Sequence, residues 1–159
     1  MIPQSKYFLP KELIQPSLFE QMSEGALMRC IGHDVCNHLD MLREDYEGAV
    51  RLSGKHKSKS DIQIYINGKY WGKEYKHSGL RSIDCPEGVK DSVHKQGRAF
   101  DLKCKHLDIL TSLIFHNHYR YHITRIEHPD CTPTWRHVEF STYAISMTIF
   151  KPKRNSKQE

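Results

Sequence analysis

Two hydrophobic periods follow one another along this chain, and their order restricts the folds open to it. Before residue 50, Val35, Leu39, Leu42, Tyr46 and Val50 recur at three- and four-residue steps with Arg43, Glu44 and Asp45 opposite, the pattern of a core-facing helix. An earlier helix is expected from Pro10, carrying Leu13, Leu18, Phe19 and Met22, with Glu12 in the first turn where the helix dipole favours an acid. Further on, Arg98 to Leu102, Tyr121 to Glu127, Trp135 to Phe140 and Ala144 to Phe150 read as strands, broken by one amphipathic helix marked by Leu107, Leu110, Leu113 and Ile114. Between the two regimes, Ile62 to Ile66 alternates like a strand closed by an Asn67-Gly68 turn, and Gly72 to Val93 reads as a long surface connection. Helices first and strands later predict an α+β fold, with helices packed on one face of a small antiparallel sheet in a single domain.

The 159 residues are enough to bury a core without staples. A hydrophobic share of 38% with 27% charged residues excludes the disordered class, and no run approaches the roughly 20 apolar residues of a membrane span. The first ten residues show neither the apolar stretch nor the cleavage site of a signal peptide, so synthesis in the cytoplasm without export by that route is expected. The five cysteines, Cys30, Cys36, Cys85, Cys104 and Cys131, form no C-x-x-C pair, so reduced and mostly buried thiols are expected. The net charge of +5 favours an anionic partner, and part of it sits in a basic tail, residues 151–159, expected to be disordered beyond a domain of residues 1–150.

Among 11 histidines, most must be surface or core residues, because a metal site uses only two or three. His94 and Asp101 are seven residues apart, about 23 Å on a straight strand, so they could share an ion only if the chain turns between them. Gly97 can take the tight or left-handed conformation such a turn needs, and Ala99 is small enough to pack under the site. His137 lies on a later strand and could arrive from a neighbouring position in the sheet.

The run Ser92-Val93-His94-Lys95-Gln96-Gly97-Arg98-Ala99-Phe100-Asp101 resembles the S-x-H-x-x-G-x-A-x-D signature of M15 zinc peptidases, related to D-alanyl-D-alanine carboxypeptidases and including phage cell-wall endolysins. Trp135-Arg136-His137-Val138-Glu139 resembles their late W-x-H-x-[DE] strand motif, and Ser78-Gly79-Leu80-Arg81 their upstream arginine segment. The likeness runs from about residue 7, through Tyr7 to Leu13 and Leu42-Arg43-Glu44, to about residue 140. It implies one zinc ion on His94, Asp101 and His137, and hydrolysis of a peptide-stem bond of peptidoglycan that involves a D-amino acid, by carboxypeptidase or endopeptidase action, with any action on a cell wall following release. Arg81 is then expected to bind an anionic substrate group or the developing oxyanion, and Ser92 to orient His94 or nearby backbone.

The chain departs from the family at the general base. Relatives place Glu or Asp three residues before the last histidine, where this chain has Thr134, which has no proton-accepting carboxylate. Glu139, on the strand face of His137, is the expected base, with Asp130 and then Glu127 as alternatives; Glu139 could equally be a carboxylate that only holds a ligand. His116, His118 and His122 lie outside the motifs and are expected to be surface or supporting residues. Two other functions compete: a zinc-bearing binding or structural domain that has lost catalysis, and a nucleic-acid surface built from Tyr65, Tyr70 and Trp71 beside Lys69, Lys73 and Lys76. The motifs favour the peptidase over specific nucleic-acid binding, and no membrane insertion is expected.

Overall fold

The long periodic segment becomes the longest helix. A computed structural model of the protein describes residues 1–70, 72–86, 92–142 and 146–152. Its helices are α1 (Pro10–Leu13), α2 (Glu24–Ile31), α3 (His33–Leu52) and α4 (Leu107–Asn117); its strands are β1 (Gly68–Tyr70), β2 (Lys73–Tyr75), β3 (Ala99–Leu102), β4 (Ile123–Glu127), β5 (Arg136–Phe140) and β6 (Thr148–Phe150). This is an α+β single domain, as expected. Val35, Leu39, Leu42, Tyr46 and Val50 of α3 are all essentially inaccessible, and fully burying each such apolar side chain contributes about 1.5–3 kcal/mol. Arg43, expected on the outer face, is buried as well, its guanidinium 5.9 Å from the centre of the Tyr7 ring. The expected N-terminal helix is only one turn long. Pro16 removes a backbone donor and restricts Gln15, so the chain leaves the helix at Ile14 and resumes as a 3-10 turn, Pro16–Glu20. Helix α2, which the sequence reading passed over, begins at Ser23, whose hydroxyl accepts from the Ala26 amide.

The main sheet has the order β3-β5-β4-β6. Three strands are antiparallel, with Asp101 opposite His137 and Ile126 opposite Val138, but β6 joins β4 in parallel, so the sheet is mixed rather than antiparallel throughout. Strand alternation marks a strand without saying in which direction its neighbour runs. Phe100, Leu102, Val138, Phe140 and Ile126 face one core with α3 and α4, and Arg136 closes its edge by donating to Thr111 of α4. Residues 144 and 145 of the expected last strand, and the tail from 153 on, lie outside the described residues. Among the described residues no helix is long and apolar enough to cross a membrane. The described cysteines are all free thiols, three of them buried.

The middle of the chain departs furthest from expectation. Residues 62–66 form no strand: Ile62 ends a 3-10 turn, Lys59–Ile62, and the segment after it makes one bridge, between Tyr65 and Lys103. Asn67 is no hairpin turn but a buried cross-link: its amide donates to the Ile14 carbonyl, its carbonyl oxygen accepts from the Ser78 amide, and the hairpin forms one step later between β1 and β2. The stretch expected to be a surface connection dips into the molecule, because Leu80 exchanges backbone hydrogen bonds with Leu13 and Gln15, burying Ser78, Leu80 and Arg81.

Asp61 anchors that same region. Its carboxylate takes the Lys105 ammonium at 2.6 Å and the backbone amides of Lys57 and Ser58, and its carbonyl accepts from the Tyr46 hydroxyl. The Lys105 hydrogen bond first, then those amides, hold the carboxyl well below its ordinary value of 3.8. A depressed carboxyl contributes stability that is present above the unfolded value and lost as pH falls through the folded one. Denaturant titrations from pH 6 to pH 2 are therefore expected to show an acid limb starting near 3.8 that is flattened in Asp61→Asn.

Candidate metal centre

The two faces of the main sheet carry different chemistry. Opposite the core face, Asp101 on β3 and His137 and Glu139 on β5 point to the same side, as alternate residues must. The β4–β5 register shifts between Ile123 and Arg125, a bulge that leaves Ile123 in the core and turns Arg125 to the same side as Glu139. One repeat further along, Glu127 pairs with Phe150 of β6 and lies on that face too. His94 arrives from outside the sheet, on the 3-10 turn Val93–Gln96. Gly97 ends that turn in the left-handed region at φ 70°, reversing the chain as expected, and a Cβ there would stand 2.7 Å from the Cys30 carbonyl oxygen. A side chain at this position would therefore be both strained and crowded.

The three converging side chains meet closely. His94 Nε2 lies 3.1 Å from His137 Nδ1 and 3.4 Å from Asp101 Oδ1, and His137 Nδ1 lies 3.0 Å from the same oxygen. A tetrahedral ion with ligands at about 2.1 Å spaces them about 3.4 Å apart, so two imidazole nitrogens and a carboxylate oxygen at these distances form a donor set that could hold a metal ion. The orientation of each ring is set from behind. His94 Nδ1 is 3.1 Å from the Gly79 carbonyl, which can only accept, so that nitrogen carries the proton and Nε2 turns its lone pair to the centre. Gly79 is pressed against the chain of Leu13, where a Cβ would stand 2.0 Å from the carbonyl oxygen. On His137, Nε2 faces Glu139 Oε1 at 3.3 Å, which leaves Nδ1 for the centre.

Charge is matched throughout the group. Burial alone would raise the Asp101 carboxyl, but the hydrogen bond with His137 first, and then the close approach of His94, outweigh it and hold the group far below the usual carboxylate range. Burial would lower His137; its hydrogen bonds to Asp101 and Glu139 reverse this and raise it to about 9. Glu139 is pushed up by burial and pulled down more strongly by His137 and Arg125, a net lowering.

Each residue expected at the site has a definite place. Arg81, whose side chain is only 9% exposed, donates to Asp101 Oδ2 at 3.1 Å and to the His77 carbonyl. Glu139 accepts from Arg125 through both oxygens, at 3.2 and 3.0 Å. Glu127, Ser92 and Trp135 line a cleft of about 390 Å³ over the group, together with Phe150. Asp130 and Thr134 are exposed and do not line it; Asp130 sits beside His128 and Lys151. His116 bonds the Ser112 carbonyl, and His122 stacks on His38 at 4.2 Å, both apart from the metal group. Within the expected basic aromatic surface, Tyr65 stacks on Tyr70 at 4.7 Å and Lys76 lies 3.5 Å from Glu74; Trp71 lies outside the described residues. Sequence reasoning missed Arg125 and Phe150, whose guanidinium and ring stack at 4.3 Å, and the Gly79 carbonyl. Period-two alternation with Glu127 carried a signal for Arg125, but a backbone carbonyl has no side-chain signature.

No family model, curated protein or solved structure matches the chain. The metal-binding capacity is tested by titrating a divalent transition metal into chelator-treated protein: one ion per chain is expected, and His94→Ala, Asp101→Ala and His137→Ala should each abolish tight binding. Unchanged stoichiometry in His137→Ala would exclude this centre.

Proposed function

We propose that the chain is a zinc-dependent peptidase that hydrolyses a bond in the D-amino-acid-containing stem peptide of peptidoglycan. The observation that carries this reading is the His94-Asp101-His137 group, three donors 3.0–3.4 Å apart on the floor of an open cleft. Two histidines and one carboxylate are a zinc donor set, and the signature they occupy resembles that of the M15 peptidases. When bound, zinc supplies a Lewis acid for a carbonyl and lowers the pKa of a coordinated water towards about 7.

This chain's own residues divide the remaining work. Arg81, the expected anion-binding residue, has its guanidinium on Asp101 Oδ2, so its role in this reading is to hold Asp101 with Oδ1 turned to the histidines. Glu139, the expected base, is engaged by Arg125 and by His137 Nε2, so it orients His137. Glu127 lines the cleft on the same sheet face, and in this reading it takes a proton from the attacking water and delivers it to the leaving amine. Phe150 and Trp135 wall the cleft and limit the water reaching the reacting carbonyl. A domain that binds zinc and substrate without turnover is the competing reading, favoured by the exposed Thr134 at the family's base position.

Zymography on purified cell walls separates the two: clearing that is lost with chelator and restored by zinc is expected. Glu127→Gln should keep zinc and lose about 10²- to 10⁴-fold in turnover, the usual size of a general-base contribution. Glu139→Gln should instead weaken zinc affinity by roughly 10- to 100-fold, as loss of a ligand's hydrogen-bond partner does. Zinc binding with no clearing would establish the non-hydrolytic reading.

A further inference from the structure

Glu139 can fix the His137 ring only as firmly as Glu139 is itself held, and its holder is the least enclosed member of the group. Arg125 donates to both Glu139 oxygens, at 3.2 and 3.0 Å, yet its side chain is 45% exposed. An ion pair open to water on one side gains little against the entropy of ordering a long side chain, so by itself it is a loose support.

What orders Arg125 comes from β6. That strand runs parallel to β4, with Thr148 opposite Arg125 and Phe150 opposite Glu127. Phe150 therefore lies on the metal side of the sheet and reaches diagonally back to Arg125. Its ring carries the guanidinium 4.3 Å from its centre, and it stands nearly perpendicular to the His137 ring, with centres 5.8 Å apart and planes at 85°. A guanidinium stacked on an aromatic face is held flat and screened from water on that side, which strengthens its pairing with Glu139. The perpendicular contact limits the swing of the imidazole that Glu139 meets at Nε2. Phe150 has no donor atom of its own, but it touches both ends of the line that runs from Arg125 through Glu139 to His137.

On the reading of His94, Asp101 and His137 as a zinc site, we propose that Phe150 is a positioning residue of that site: its ring orders Arg125, Arg125 holds Glu139 on His137, and metal affinity depends on the whole line. Docking of β6 is then part of metal binding, and by reciprocity a bound ion holds β6 more firmly.

The test is a zinc titration of the chelator-treated full chain against a competing chelator, with the denaturant stability of the metal-free protein measured alongside. Phe150→Leu keeps apolar bulk to dock β6 and removes the ring; it should weaken zinc affinity about tenfold, the lower end for loss of a ligand's supporting partner. Phe150→Tyr, which keeps the ring, should bind zinc as the parent does. Arg125→Ala changes a half-exposed side chain, leaves β6 untouched, and should lose at least as much affinity as Phe150→Leu. Because the ring acts chiefly through Arg125, the double variant should bind little more weakly than Arg125→Ala alone. Parent affinity in Phe150→Leu or in Arg125→Ala, equal losses in the Leu and Tyr variants, or full additivity in the double variant would overturn the proposal and leave the zinc site standing. Lowered metal-free stability with zinc affinity unmoved would overturn it too, since it gives Phe150 a structural role only. If the parent chain binds no zinc, the site and the proposal fail together.

Discussion

A half-buried carboxylate beside two imidazoles is unstable unless its charge is matched, and here the match to Asp101 organises the structure around it. Arg81 takes one oxygen at 3.1 Å, while His137 and His94 approach the other at 3.0 and 3.4 Å. Each partner is pinned in turn: Arg81 through the chain that bridges Leu80 to Ile14, His94 through Gly79, and His137 through Glu139 and Arg125. In the metal-free protein a proton held on His137 by Asp101 and Glu139 puts positive charge next to Asp101, where a metal ion would otherwise place its own. The preorganisation thus serves the metal-free fold and the metal site with one set of contacts.

The sheet explains how so polar a group sits beside a continuous core. Alternation sends Phe100, Leu102, Val138 and Phe140 to α3 and α4 and sends Asp101, His137 and Glu139 to the cleft. That separation was legible in the sequence, since the period-two pattern around residues 98–102 and 135–140 assigns each residue to one face. The long helix was equally legible from five apolar positions in register. So was the reversal at Gly97, because seven residues of strand cannot bring His94 and Asp101 together.

What escaped the sequence depends on long-range pairing. Asn67 looks like a turn residue, yet its two polar atoms join segments 53 residues before and 11 residues after it. The apparent surface loop around Arg81 is buried because its backbone bridges the N-terminal segment, and no local pattern announces such a bridge. Strand spacing placed Glu139 beside His137 but could not reveal that the β4 bulge would deliver Arg125 to it. A candidate base and a supporting carboxylate therefore looked alike until their partners were known. The parallel placement of β6, which brings Phe150 over His137 with ring centres 5.8 Å apart, was hidden for the same reason.

In this protein one ion is expected among two imidazole nitrogens and one carboxylate oxygen, with the free cysteines playing no part. X-ray absorption at the zinc edge of the loaded protein tests it most directly. The predicted spectrum has only nitrogen and oxygen neighbours at about 2.0–2.2 Å, with the outer-shell scattering of two imidazoles. A sulfur neighbour at about 2.3 Å, or the absence of imidazole scattering, would rule out the His94-Asp101-His137 centre.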